Sequence, residues 1–179
     1  MLKIGVIGYK NHAKRVIDFL CELPAVEIVL VYHPNSKKIK SLSESSHIKK
    51  QYTATWKDLI NSDAFFICSP SGTHVDYILK ILDSSRQNDS LPYIYCEKPP
   101  GISKKELNWL KTKSQELSKI LYFGFNYRFS SLQMQLKQTI SSGKLGIPIY
   151  ANFTISHGLA FKKGMQKNWR FTEPSVFSK

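Results

Sequence analysis

The sequence predicts an α/β fold, a doubly wound parallel sheet followed by an incomplete second α/β domain. Three observations predict it. Short, nearly continuous apolar runs at 2–8 (LKIGVIG), 26–33 (VEIVLVYH), 64–69 (AFFICS) and 93–96 (YIYC) read as strands buried on both faces. Helical spacing of apolar residues fills the intervals at 11–22, 73–85 and 103–118. The links between these elements are short, as strand–helix–strand units require.

Each element has its own grounds. In 11–22, Ala13, Val16, Ile17 and Leu20 share one helical face. Residues 34–50 are polar, rich in Ser and Lys and without a period, so they read as a loop holding a short helix. TWKDLI (55–60) suggests a helical turn, and in 73–85 Val75, Ile78, Leu79 and Leu82 share a face. Ser103 and Glu106 have the spacing of a capping box at the head of 103–118. ILYFGFNYRF (120–129) reads as a further strand. Beyond it stand a helix over 130–146, closing near Gly143, and a strand over 148–158; the remainder is irregular. The sheet domain is therefore expected over 1–122. Residues 123–179 hold too little for an independent core and read as the beginning of a second domain.

Composition narrows the function classes. The chain has 179 residues, a net charge of +13 and 42% hydrophobic content. No apolar run approaches the roughly 20 residues that span a bilayer, so no membrane partner is expected. The positive charge comes from 22 Lys against 4 Arg, scattered along the chain. Base-edge recognition favours arginine's planar fork, so solvated helix faces account for the lysines and a nucleic-acid partner is not expected. Cys21, Cys68 and Cys96 sit in apolar runs without paired spacing, as reduced thiols of a cytoplasmic protein do. The five histidines show no metal-ligand spacing, and no metal is expected.

The first strand runs into GYKNHAKRVI, the context of the dinucleotide fingerprint G-x-G-x-x-G/A. Gly8 takes the first glycine position, for the tight turn, and Ala13 the third, for helix–strand packing. Lys10 stands where the second glycine lets the backbone approach a diphosphate; Asn11 and His12 complete the loop. Two outcomes stay open for Lys10: its side chain crowds the phosphates, or it turns outward and offers a charge-assisted contact. The segment after the second strand, VYHPNSKK, lacks the carboxylate that usually holds the adenosine ribose of NAD. His33, Asn35, Ser36, Lys37 and Lys38 suit a 2′-phosphate, which favours NADP over NAD; a plain basic surface loop is the alternative. YIYCEKPPG (93–101) ends a strand with Glu97 and Lys98, at the edge where open α/β sheets bind ligands. A strand-end surface lysine is the alternative for Lys98.

Taken together, the chain resembles the glucose–fructose oxidoreductase/inositol dehydrogenase (Gfo/Idh/MocA) family. The match is collinear through 8–13, CSPSGTHVDYILKIL (68–82), CEKPPG (96–101), GFNYRF (124–129), GKLGIPIYANF (143–153) and NWR (168–170). The resemblance implies a Rossmann domain binding NADP or NAD, and a second domain with a sugar-like substrate pocket and a homo-oligomer interface. It implies that Ser69, Pro70 and His74 lie near the nicotinamide end. It places Glu97 and Lys98 at the reacting hydroxyl, Tyr127 and Arg128 beside the ring, and Trp169 and Arg170 at the carboxamide side. Lys98 is then the catalytic candidate, desolvated beside a cationic ring and suited to acid–base work, with Glu97 orienting it. For His74 the alternative is a cap or core-edge hydrogen-bonder; for Arg128, pairing with a carboxylate; for Tyr127 and Trp169, packing.

The family's Gly-rich turn with Asp and, four residues on, His is not found after NWR, where the sequence reads FTEPSVFSK. The expectation is an oxidoreductase chain that is incomplete, inactive alone and prone to associate through unpartnered apolar surface. A nucleotide-binding module without catalysis is the competing reading.

Overall fold

The computed structural model describes residues 1–10, 12–40, 42, 49–86 and 90–154. Its contacts divide the chain into a unit Met1–Gly124 and a unit Phe125–Lys179. The first unit is a sheet of six strands: β1 (Leu2–Ile7), β2 (Val26–Tyr32), β3 (Lys50–Thr53), β4 (Ala64–Ile67), β5 (Tyr93–Cys96) and β6 (Leu121–Phe123). The spatial order is β3-β2-β1-β4-β5-β6, and every pairing is parallel. The connections carry α1 (His12–Glu22), α2 (Ser36–Lys40), α3 (His74–Ser84) and α4 (Lys104–Leu117).

Alternation along the central strands feeds two separate cores. Ile4 and Val6 pack with Ile17, Leu20 and Cys21 of α1 and with Val26, Val29 and Val31 of β2. Ile7 packs with Phe65, Ile67, Ile94 and Cys96, and with Ile78 and Ile81 of α3. Trp109 and Leu110 of α4 join this second core from its margin. Burying a Phe or Ile side chain stabilises by about 2 kcal/mol, and this face of the sheet has Phe65, Ile7, Ile67, Ile78, Ile81 and Ile94 almost fully enclosed.

The structure departs from the sequence expectation at several elements. β3 is a strand within and just beyond the segment read as a loop; KQYT is short, polar and half-exposed at the sheet edge, and only its register with β2 defines it. In α3 the buried stripe is Val75, Ile78 and Ile81, with Leu79 turned outward. The strand expected over 120–129 ends at Phe123, and Asn126–Phe129 form a 3-10 turn.

In the second unit, α5 (Ser131–Ser141) is capped by the Ser130 hydroxyl, which accepts Gln133 N–H. It ends before Gly143, which adopts φ +73°. The strand expected over 148–158 does not form across its described part, residues 148–154, where no pairing partner is present among the described residues. Residues 155–158 lie outside the described residues.

The start of α4 shows the capping box in full. Ser103 Oγ accepts Glu106 N–H at 3.2 Å, and Glu106 Oε2 accepts the N–H groups of Ser103 at 2.8 Å and Ile102 at 2.7 Å. Burial alone would raise the Glu106 carboxyl, but these hydrogen bonds and the nearby His74 hold it below its ordinary value. A carboxylate whose folded pKa is depressed adds stability above its unfolded pKa and loses it as pH falls. Glu106→Ala is therefore expected to cost about 1 kcal/mol at neutral pH. In urea melts the gap to wild type should close as pH falls below about 4.3; a gap independent of pH would contradict this.

Candidate functional site

The chain order reverses between β1 and β4, with β2 and β3 on one side of that seam and β5 and β6 on the other. In open α/β sheets this is where a crevice opens at the carboxyl ends of the strands. Gly8 turns the chain off β1 at φ +108°, a conformation that side chains disfavour. A Cβ on Gly8 would stand 2.8 Å from the Cys68 carbonyl oxygen and 3.0 Å from its carbon. The end of β1 is thus pressed against the end of β4, and only glycine fits both the angle and the space. Ala13 is fully buried, and its N–H donates to Lys10 O at 3.0 Å as α1 begins. The first turn of α1 presents positively polarised amides to the seam, with no acidic side chain there to oppose them. Asn11 lies outside the described residues.

Lys10 turns toward β2. Its Nζ lies 5.8 Å from the Tyr9 ring centroid, and the Tyr9 ring meets His33 edge-on at 5.2 Å. Burial, followed by the charges of Lys38 and Lys10, pushes the His33 imidazole below its ordinary value. Asn35 N–H donates to His33 Nδ1 at 3.0 Å, so the ring proton stands on Nε2. Asn35 Oδ1 also accepts the N–H groups of Lys37 and Lys38, which caps α2. Ser36 and Lys37 are exposed at the head of that helix. The result is a neutral donor, His33 Nε2–H, in the field of two ammonium groups.

At the opposite end, Glu97 follows β5 and Lys98 is exposed beside it. Glu97 Oε1 accepts Tyr95 O–H at 2.9 Å and stands 2.9 Å from His12 Nε2; Oε2 lies 3.4 Å from Lys98 N–H. The carboxylate therefore engages His12, Tyr95 and the Lys98 backbone. Among the described residues no contact joins it to the Lys98 ammonium, which corrects the expectation that Glu97 orients that group directly. Gly124, just past β6, makes room for this: a Cβ there would stand 2.5 Å from Tyr95 Oη and 3.0 Å from Glu97 Oε1.

His74 takes the hydrogen-bonding role rather than an open contact surface. It is 1% exposed, with Nδ1 2.8 Å from Pro99 O and Nε2 3.0 Å from Ser69 O. It ties the turn after β4 to the turn after β5, where the Lys98–Pro99 peptide is cis. A buried side chain engaged at both nitrogens cannot also reach a cofactor, so its placement among cofactor-binding residues is corrected. Ser69 Oγ lies 2.8 Å from Thr73 Oγ1, and Thr73 O–H donates to Pro70 O at 2.8 Å. Ser69 and Pro70 remain at the seam's carboxyl edge, partly buried and exposed respectively.

Arg128 belongs to the second unit, on the exposed 3-10 turn with Tyr127, where its N–H donates to Phe125 O. Trp169 and Arg170 lie outside the described residues. All three cysteines are free thiols. Burial, then the Glu97 charge, pushes Cys68 up to about 12, and Cys96 is raised by burial as well, so neither is a thiolate nucleophile at neutral pH. Among the described residues no group of three His, Cys, Asp or Glu side chains could hold a metal ion. Tyr95 and Gly124 are site residues that sequence reading passed over. The two-residue period placing Tyr95 and Glu97 on one face was the available signal.

Residues 2–125 match the oxidoreductase family with an NAD-binding Rossmann fold, GFO_IDH_MocA. The chain is similar to glucose-6-phosphate 3-dehydrogenase of Bacillus subtilis, 30% identical over 166 residues covering 91% of this chain and 45% of that protein. It is also similar to scyllo-inositol 2-dehydrogenase (NAD(+)) of the same organism, 29% identical over 161 residues, 88% of this chain and 44% of that protein. Among solved structures, scyllo-inositol dehydrogenase of Lactobacillus casei with bound NAD(H) and scyllo-inositol superposes with a TM-score of 0.64 at 20% identity. That match covers 82% of this chain and 42% of that one, a likeness of fold. The chain spans less than half the length of the curated relatives it matches.

The seam makes a direct prediction. Gly8→Ala is expected to destabilise the fold by about 1–3 kcal/mol from the backbone conformation alone, before the approach to Cys68 O is counted. A urea midpoint unchanged from wild type would show that the β1–β4 seam tolerates a side chain.

Proposed function

We propose, since this chain belongs to the GFO_IDH_MocA family of oxidoreductases with an NAD-binding Rossmann fold, that it seats a nicotinamide dinucleotide along the β1–β4 seam. There it serves hydride transfer to or from a sugar-like hydroxyl or carbonyl. The observation that carries this reading is the convergence of Gly8, the first turn of α1 and the Glu97–Lys98 edge at one crevice of one unit.

The residues present suit such a cofactor. Backbone amides opening α1 would hold the diphosphate, helped by the helix dipole. Tyr9, Lys10 and His33 stand where the adenosine ribose belongs, with Ser36 and Lys37 at the margin. No carboxylate lies between Tyr32 and Lys38 to accept from a 2′-hydroxyl. A phosphate there would meet Lys10, Lys38 and His33 Nε2–H instead, which favours NADP over NAD. The nicotinamide, when bound, supplies the hydride acceptor or donor. Lys98, exposed at the carboxyl edge, takes or returns the proton of the reacting oxygen. His74 keeps the cis turn under Lys98 fixed against the β4 edge. In the same reading Arg128, Trp169 and Arg170 contribute to the nicotinamide end, and the second unit belongs to a substrate and homo-oligomer domain.

The curated relatives named above are a glucose-6-phosphate and an inositol dehydrogenase, which supports a polyol or sugar as the substrate class. A second reading, nucleotide binding without catalysis, is favoured by Lys10 at the position where glycine admits a diphosphate. Titrating NADPH and NADH against tryptophan fluorescence at physiological salt tests the cofactor. NADPH is expected to bind about tenfold or more tightly than NADH, the worth of one charge-assisted contact. Silence from both at millimolar concentration would overturn the proposal. Turnover with inositol and sugar panels would separate catalysis from binding alone.

A further inference from the structure

Strands β1 and β5 are not neighbours; β4 lies between them. His12, in the first turn after β1, nevertheless reaches Glu97 after β5, with Nε2 2.9 Å from Oε1. The contact therefore crosses the carboxyl end of β4, over the crevice described above. The two partners differ in exposure: the His12 side chain is 48% exposed, that of Glu97 only 14%. A carboxylate so enclosed needs its hydrogen-bond donors, because an unsatisfied buried charge is costly. Glu97 has three: Tyr95 O–H at 2.9 Å, His12, and Lys98 N–H at the longer distance of 3.4 Å. Tyr95 sits on the same strand and Lys98 is the next residue, so both move with Glu97. His12 alone, among the donors recorded here, belongs to the phosphate loop side of the crevice.

We infer that His12 is a positioning residue. It fixes the Glu97–Lys98 edge relative to the amides that open α1, and so sets the span between the diphosphate seat and the reacting edge. This inference rests on the dinucleotide reading above. If it holds, the histidine matters to a ligand that occupies both ends of the crevice and is irrelevant to one that occupies only the adenosine end. Neither the fingerprint nor the EKP segment carries this link; it is made by a side chain 85 positions from its partner.

The test compares NADPH with 2′,5′-ADP, which lacks the nicotinamide half, on the whole 179-residue chain. His12→Ala is expected to weaken NADPH by about tenfold, the effect of one charge-assisted hydrogen bond, while leaving 2′,5′-ADP within about twofold. His12→Gln, whose amide can still donate to the carboxylate, should recover most of the NADPH affinity. In the double variant with Glu97→Gln, the losses should fail to add, since both changes cut one interaction. Equal weakening of both ligands would make His12 a general prop of the loop and overturn the inference. So would unchanged NADPH affinity, a Gln variant as weak as Ala, or additive losses, each while leaving dinucleotide binding itself intact. Wild-type protein that binds neither NADPH nor NADH would instead remove the dinucleotide reading, and this inference with it.

Discussion

The pressed seam between the ends of β1 and β4 is the constraint on which the rest of the site depends. Gly8 allows the backbone to leave β1 at a positive φ and pass within contact of the Cys68 carbonyl. That close passage brings the head of α1 over the end of β4. β1 and β5 are two strand spacings apart, roughly 10 Å. A histidine at the head of α1 and a glutamate at the end of β5 can bridge that gap only if the helix starts this low over the sheet. The glycine, the burial of Ala13 and the His12–Glu97 contact are thus successive consequences of one local geometry.

The two ends of the crevice differ in charge. Near β2, Lys10 and Lys38 raise the potential around a His33 ring that burial and those same lysines keep neutral. Near β5, a largely enclosed carboxylate is held by three donors, and a lysine stands exposed beside it. A ligand with an anionic terminus and a ring that becomes cationic on oxidation is complementary to that gradient: phosphate toward the lysines, ring toward Glu97. The overall charge of +13 contributes little to this, because most of the lysines lie on solvated surface away from the seam. Local placement, rather than net charge, gives the crevice its polarity.

Much of the architecture was legible in the sequence because the central strands are apolar on both faces and the helices carry clear stripes. The capping box at Ser103 and the glycine turn at Gly8 were also legible, since each has a local signature. β3 was not: KQYT carries little apolar content, and its strand character comes from β2 beside it. The stop at Phe123 was hidden because GFNYRF keeps the strand-like composition, whereas Gly124 is required by the Tyr95–Glu97 pair of a different strand. The roles of His74 and His12 were also hidden. Each depends on partners 25 and 85 positions away, Pro99 and Glu97, and nothing local marks them.

Lys10 shows how a departure from a motif can be absorbed. A glycine at that position serves an approach of backbone to diphosphate, and a side chain there would obstruct it if it pointed into the crevice. In this fold the ammonium lies instead beside Tyr9, whose ring abuts His33, so the side chain has left the diphosphate path for the β2 end. The same substitution that removes a permissive glycine adds a cation at the position where a ribose phosphate would be recognised. Affinity lost in one half of a dinucleotide is then offset in the other, and only a ligand with that phosphate gains. The irregular fingerprint is on this argument a shift of recognition from backbone amides to a side chain, and it makes cofactor choice depend on Lys10 more than in a glycine-rich loop.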